Sequence, residues 1–130
     1  MAKSIEQQVV INADPARIYE ALVDPKRHGE FTGAPAENDQ RVGGAMSCHG
    51  GFVTGINLDL KKGERIVQAW RGKDWKDGVF SVATFDLKAE GKNQTKVVFT
   101  QHGVPDDQVE HISKGWYSHY WEPLAKYLAQ

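Results

Sequence analysis

The sequence predicts an α+β domain in which a curved, seven-stranded antiparallel sheet packs on one long C-terminal helix, with a short helical segment after strand 1. Three observations support this fold class. Apolar and polar residues alternate near the N-terminus and again from about residue 36 to 102, turn-forming residues separate these segments, and an apolar stripe at helical spacing follows. Because the turns are too short for parallel crossovers, the strands are expected to form an antiparallel meander.

The composition fits one small domain. The chain has 130 residues, a net charge of −1 and a single cysteine, Cys48. That length supports one hydrophobic core, so we expect a single domain over residues 1–130. The lone cysteine excludes an internal disulfide framework, and no apolar segment suits a signal peptide or a membrane span. We therefore expect a cytoplasmic protein with neither nucleic-acid nor membrane partners, since charges of both signs are interspersed.

The first element is predicted to be a strand over residues 4–12. Its apolar residues Ile5, Val9 and Ile11 share one face at a period of two, which indicates one buried side. Reversals rich in glycine or charged residues divide the middle of the chain. The further strands are predicted over residues 36–39, 45–49, 52–60, 65–71, 79–87 and 96–101.

A short helix is predicted between the first two strands. Asp14 can cap its free amides, and Pro15 suits its first turn. The dipeptide at residues 24–25, Asp-Pro, is expected to end it, since the residue before proline disfavours helical backbone. Residues 26–31 are predicted to add a short second turn that carries Phe31 inward.

The last element is predicted to be one long helix over about residues 105–129. Pro105 and the two carboxylates after it suit a helix N-terminus, where the macrodipole favours negative charge. Pro123 is expected to kink the helix by removing the hydrogen bond to His119. The apolar stripe that would cover the sheet comprises Val109, Ile112, Trp116, Tyr120, Leu124 and Leu128.

A curved sheet under a single helix leaves space at one end of their interface, where a pocket would form. Trp116 and Trp121 are five residues apart, about 140° round an α-helix, so both cannot point centrally into the sheet. One aromatic residue of this helix is therefore expected at the pocket rim or at an exposed interface. The candidates to line the ligand cavity are Phe31, Met46, Trp70, Phe85, Phe99, Ile112, Trp116 and Tyr120.

No residue spacing predicts a catalytic or metal site. His111 and His119 are eight residues apart on one helix, too far for a shared ion. Cys48 and His49 are adjacent on a predicted strand and should point to opposite faces. We expect surface or hydrogen-bonded histidines, no cofactor, and a buried Cys48 that packs as a small apolar residue.

Several short motifs occur in one order along nearly the whole chain. The most telling is Ile-Val-Gln-Ala-Trp-Arg at residues 66–71. The others lie at residues 21–25, 30–35, 41–44, 50–55, 75–78, 103–105 and 115–120. Together they resemble the activator of heat shock protein 90 ATPase homologue family (AHSA-type), above all the C-terminal domain of its eukaryotic members. The order of elements is similar to the helix-grip arrangement of the START/SRPBCC superfamily.

The resemblance implies a non-enzymatic, co-chaperone-like binding module with weak contact to the heat shock protein 90 chaperone. In the two-domain co-chaperones a separate N-terminal domain binds the chaperone's middle segment. Because residues 1–130 are expected to form one domain, the resemblance supports chaperone contact better than ATPase activation. The alternative is a carrier or sensor that holds a small apolar ligand between the sheet and the C-terminal helix. An enzyme that uses this cavity ranks below both.

Overall fold

The computed structural model describes residues 2–129 and has the predicted α+β architecture. Within those residues the strands are β1 (Ala2–Ile11), β2 (Glu37–Asn38), β3 (Ala45–Cys48), β4 (Val53–Lys61), β5 (Arg65–Gly72), β6 (Ser81–Gly91) and β7 (Gln94–Pro105). They form one antiparallel sheet in the order β1-β7-β6-β5-β4-β3-β2. Strands β2 to β7 are a meander, and the first strand pairs with the last. The predicted curved sheet of seven antiparallel strands is confirmed.

Two short helices follow β1, where the sequence predicts a helix and a further turn. They are α1 (Pro15–Val23) and α2 (Pro25–Thr32). The Asp14 carboxylate accepts a hydrogen bond from the Arg17 amide at 3.0 Å, as its predicted capping role requires. Asp24 ends α1 and also caps α2, accepting from the Lys26 amide at 3.1 Å. The second helix carries Phe31 into the core, as expected.

The C-terminal helical segment is the long element predicted, but its winding changes along its length. A 3-10 turn at Asp106–Gln108 leads into α3 (Val109–Trp116), a π turn (Tyr117–Trp121) and α4 (Glu122–Leu128). Pro123 has no N–H to donate to the carbonyl group of His119, and the Glu122 N–H instead donates to the Tyr117 carbonyl oxygen. The kink expected at Pro123 stays a prediction, and the irregularity that the structure shows just before this proline is the π turn. None of the helices within residues 2–129 is long and apolar enough to cross a membrane.

The π turn changes the direction of the tryptophans. Trp116 and Trp121 are each 3% exposed, and their rings stack with centroids 5.7 Å apart. The expectation that both could not point into the sheet is therefore wrong. In a π turn the hydrogen bond spans five residues, so residues five apart lie much closer to one face than they do in an α-helix. Tyr117, which is 43% exposed, is the aromatic residue that faces outward.

The core lies between the inner face of the sheet and the helices. Ile66, Phe85 and Phe99 are neighbours in register across β5, β6 and β7 and form its centre. The tryptophans of the C-terminal segment pack on this row, with the ring centroids of Phe99 and Trp116 only 4.3 Å apart. The apolar stripe predicted for this segment is confirmed, since its last four residues are buried and Val109 and Ile112 pack against the core.

Candidate ligand-binding cavity

An open cavity of about 340 Å³ lies between β4 and β5 on one side and the C-terminal helical segment on the other. Two tryptophans form its floor: Trp70 projects from β5 and Trp116 from the end of α3, with ring centroids 5.9 Å apart. Trp75 extends the apolar wall from the loop after β5, its ring centroid 5.6 Å from that of Trp70. Ile112 on α3 and the half-exposed Phe52 complete the apolar lining.

A cluster of imidazole rings lines the mouth of the cavity. The His49 ring lies between two others, with centroid distances of 6.1 Å to His119 and 6.4 Å to His28. It also packs edge-on against Tyr120 at 5.7 Å. His111 lines the same mouth from α3. Within residues 2–129, no group of three or more metal-ligating side chains is arranged to hold a metal ion.

The placement of His49 corrects one expectation from the sequence. Cys48 and His49 were expected on opposite faces of a strand, and this is wrong because β3 ends at Cys48. His49 adopts a left-handed backbone with φ of 54°, so its side chain turns back toward the helix. Both side chains therefore meet Tyr120, whose hydroxyl donates to the Cys48 Sγ at 3.5 Å.

Behind the mouth, a hydrogen-bonded group is sealed from solvent. The Tyr120 hydroxyl lies 2.9 Å from His28 Nε2, and His28 Nδ1 is buried without a partner. Burial, with the positive charge of His49 second, lowers the pKa of His28 to about 4. Burial also raises the pKa of the Cys48 thiol to about 11. At neutral pH this group is uncharged, and the thiol is neither exposed nor ionised.

A second, smaller space of about 20 Å³ lies deeper, between the sheet and Tyr120. Its volume suits about one water molecule rather than an organic ligand. Polar atoms of Asn38 and Gln68 line it together with His28.

The eight predicted cavity residues fall into three groups. Trp70, Ile112, Trp116 and Tyr120 line the open cavity. Met46 and Phe85 line the smaller space instead. Phe31 and Phe99 line neither: Phe31 packs on Tyr120 from α2, with centroids 5.7 Å apart, and Phe99 is fully buried beneath Trp116. Ligand binding by any of these residues stays a prediction.

Sequence reasoning gave no cavity role to the residues that surround its mouth, which are His49, Phe52, Trp75, His111 and His119. The spacing of eight between His111 and His119 places both on one helix face, and this is the one sequence signal that points to a shared surface. No local signal marks His49, because its direction depends on the left-handed backbone that follows β3.

A family model described as Activator of Hsp90 ATPase homolog 1-like protein matches residues 12–129. The chain belongs to this family. The resemblance noted in the sequence is therefore confirmed, and with it the helix-grip fold of the START/SRPBCC superfamily. This Hsp90-activator-like family contains proteins longer than the present sequence.

Two curated relatives are proteins named as activators of the 90 kDa heat shock protein ATPase. The chain is 32% identical over 114 residues to the Dictyostelium discoideum homolog, covering 88% of this chain and 30% of that protein. It is 32% identical over 111 residues to homolog 1 of Homo sapiens, covering 85% of this chain and 32% of that protein. The chain thus spans about a third of the length of these relatives.

A solved structure described as an HSP90 activator from Plasmodium falciparum has the same fold. It superposes with a TM-score of 0.92 and 24% sequence identity, covering 97% of this chain and 96% of that one. The match extends over the sheet, the short helices and the C-terminal helical segment alike.

Proposed function

We propose that this domain is a binding module that contacts the Hsp90 chaperone. The observation that carries the proposal is its similarity to activators of the 90 kDa heat shock protein ATPase, over 85–88% of this chain. A role in binding rather than in catalysis is supported by the buried, uncharged state of Cys48 and His28. The free thiol of Cys48 also favours the reducing cytoplasm as its location.

The chaperone proposal is tested with residues 1–130 as they stand. Linked binding modules gain affinity because the second contact becomes intramolecular, often by about two orders of magnitude or more. One module alone should therefore bind Hsp90 with a Kd on the order of tens of micromolar, about −6 to −7 kcal/mol. Calorimetric titration measures this affinity. Chaperone ATP turnover, with a specific Hsp90 inhibitor to define the background, should show weak stimulation.

Two outcomes would contradict this proposal in different ways. Saturable stimulation at submicromolar concentration would show that a single module is sufficient for activation. Absence of both binding and stimulation would remove the chaperone as a partner of this segment and leave the cavity as its functional feature.

The second candidate function is the binding of a small apolar ligand, and the open cavity favours it. Its volume of about 340 Å³ lies at the lower end of the range for small-molecule sites, about 300–1,000 Å³. Its walls are mainly indole and aliphatic surface from Trp70, Trp75, Trp116 and Ile112. A compact apolar molecule would displace water from these walls, which supplies the driving force for binding.

Native mass spectrometry of the purified protein, alone and mixed with Hsp90, detects both a retained ligand and a complex. Ile112→Trp should fill the cavity and abolish ligand retention. Ile56→Trp is the matched control, because Ile56 is 43% exposed and pairs on β4 away from the cavity lining. Unchanged retention by the Ile112 variant, with an unchanged melting temperature, would show that the ligand binds elsewhere.

A further inference from the structure

We propose that the open cavity selects small carboxylic acids, with the carboxylate held between His49 and His119 and the apolar body against the indoles. The inference rests on the second proposed function, that the cavity holds a ligand, and adds the chemical class of that ligand.

The first step of the argument is the position of the imidazoles. The rings of His49 and His119 meet edge-on with centroids 6.1 Å apart, and both line the cavity. Within residues 2–129, neither ring forms a hydrogen bond or an ion pair, so their ring nitrogens are free to bind a ligand. A carboxylate has two oxygens and accepts from two donors at once, and bonds between ionised groups are the stronger kind.

The C-terminal helical segment presents a second imidazole row. His111, Gly115 and His119 are four residues apart and lie on one helix face, and all three line the cavity. A Cβ at Gly115 would stand 3.7 Å from His119 Cδ2, at ordinary van der Waals contact, so the backbone here passes close to that ring. His111 thus lies about two helical turns from His119 along the same side of the mouth.

The backbone conformation of His49 is strained, and this strained conformation sets the direction of its side chain. His49 has φ of 54°, a left-handed conformation that non-glycine residues rarely adopt. The two residues after it, Gly50 and Gly51, are also left-handed. Strained residues of this kind are concentrated at ligand-binding positions, and here the strain aims the ring into the cavity.

The charges around the cavity orient the ligand. His49 faces His28, Cys48 and Tyr120 on its inner side and His119 across the mouth, and none of these neighbours is a carboxylate. Burial and the charge of His119 lower the pKa of His49, and an anion between the two rings would oppose both effects. Asp74 is the one carboxylate that lines the cavity within residues 2–129, and it lies beside Gly72 at the end of β5. It repels an anion there, so the acid group is directed to the histidines.

Two matched probes test the inference, 1-naphthylacetate and the neutral 2-(1-naphthyl)ethanol, which share an apolar ring system and differ in charge. Calorimetric titration at about pH 6 should show the acid binding about tenfold or more tightly than the alcohol. Raising the pH to about 8 should weaken only the acid, because binding of the anion favours the protonated form of His49 and that form is lost at higher pH, while the ligand stays ionised.

The variant for this test combines His49→Asn with His119→Ala, since asparagine tolerates the left-handed backbone. It should bring the ratio of acid affinity to alcohol affinity to about one. His102→Ala is the matched control, because His102 lies on β7, bonds Ser4 at 2.7 Å and does not line the cavity. Equal affinity for the two probes in the unsubstituted protein, or a preference that survives the double variant, would overturn the inference. If neither probe binds, the ligand proposal fails along with it.

Discussion

In the buried group of His28, Tyr120 and Cys48, the Tyr120 hydroxyl has two neighbours that can accept its hydrogen. The Tyr120 hydroxyl has one hydrogen, yet it lies 2.9 Å from His28 Nε2 and 3.5 Å from Cys48 Sγ. If this hydrogen points to the sulfur, Nε2 must carry the imidazole proton, and the unpartnered Nδ1 is left as an acceptor. The opposite arrangement would bury an N–H without an acceptor, which is the rarer and costlier defect. We therefore infer the Nε2–H tautomer for His28.

The first prediction concerns acid sensitivity at this residue. The pKa of His28 is about 4 in the folded protein against an ordinary value of 6.5, so the unfolded chain takes up its proton first. Its contribution to stability is fully present above pH 6.5 and is lost as the pH falls from 6.5 toward 4. This difference between the folded and unfolded pKa values corresponds to about 3 kcal/mol of unfolding free energy. Urea unfolding at pH 7 and at about pH 4.5 measures the loss, which should be markedly smaller in His28→Gln.

The control for this measurement is His102→Gln, a substitution of an exposed histidine that should reproduce the acid sensitivity of the unsubstituted protein. If His28→Gln lost as much stability on acidification as the unsubstituted protein, His28 would not be the responsible group.

The C-terminal helical segment is attached to the sheet by polar contacts as well as by apolar packing. Trp116 Nε1 donates to Gln101 Oε1, and Trp121 Nε1 donates to Gln7 Oε1, both at 2.8 Å. Gln7 and Gln101 lie on the neighbouring strands β1 and β7, and both are buried. Each indole therefore buries its large apolar surface without leaving its N–H unsatisfied. The two bonds fix the position of the segment along the strands.

The second prediction tests one of these contacts. Gln7→Leu should lower the free energy of unfolding by about 1–3 kcal/mol, because it leaves the Trp121 N–H buried without an acceptor and also removes the hydrogen bonds from Gln7 Nε2 to Ser113. Trp121→Phe should lower the free energy of unfolding less in the Gln7→Leu variant than in the unsubstituted protein, because the first substitution has already removed the hydrogen bond. Urea unfolding of the two single variants and the double variant measures the coupling. Gln8→Leu, at an exposed position on the same strand, is the control. Strict additivity would show that the bond contributes nothing.

The helices and strands that could be predicted are those determined by residues close together in the sequence. The strands follow from alternation and turn residues, and α1 follows from the cap at Asp14. The second helix exceeded the predicted turn because Asp24 both ends α1 and caps the next helix, a double role that sequence signals do not separate. Pro123 predicts an interruption of the helical hydrogen bonds. The π turn that buries both Trp116 and Trp121 has no such local signal, because it depends on packing against the sheet.

The cavity was predictable as a consequence of the architecture, since one helix cannot cover a curved sheet. Its tryptophan floor was also predictable, because Trp70 and Trp116 occupy inward positions of their elements. Its histidine mouth was not, since His49 reaches it only through a left-handed backbone. Residues distant in sequence were brought together there by β3, α2 and the C-terminal helical segment.

At the scale of the whole molecule, one apolar cluster joins the sheet to all the helices. We propose that residues 1–130 act as a single domain, and predict a single cooperative unfolding transition. Its heat-capacity change should be about 1.6–2.0 kcal/mol/K, from the usual value per residue. Differential scanning calorimetry should give equal calorimetric and van't Hoff enthalpies. Two resolved transitions, or a calorimetric enthalpy well above the van't Hoff value, would show that the chain unfolds in independent parts.

The pairing of the first strand with the last has a consequence for synthesis on the ribosome. Ile5 of β1 pairs with Gln101 of β7, 96 residues later in the chain. At usual rates of elongation, about 5–20 residues per second, β1 emerges roughly 5–20 s before its partner strand. During that interval the apolar face of β1 and the inner face of the growing meander lack the C-terminal helical segment that packs on the finished sheet. The nascent chain therefore passes through a stage at which a large apolar surface is accessible to whatever binds unfolded segments in the cell.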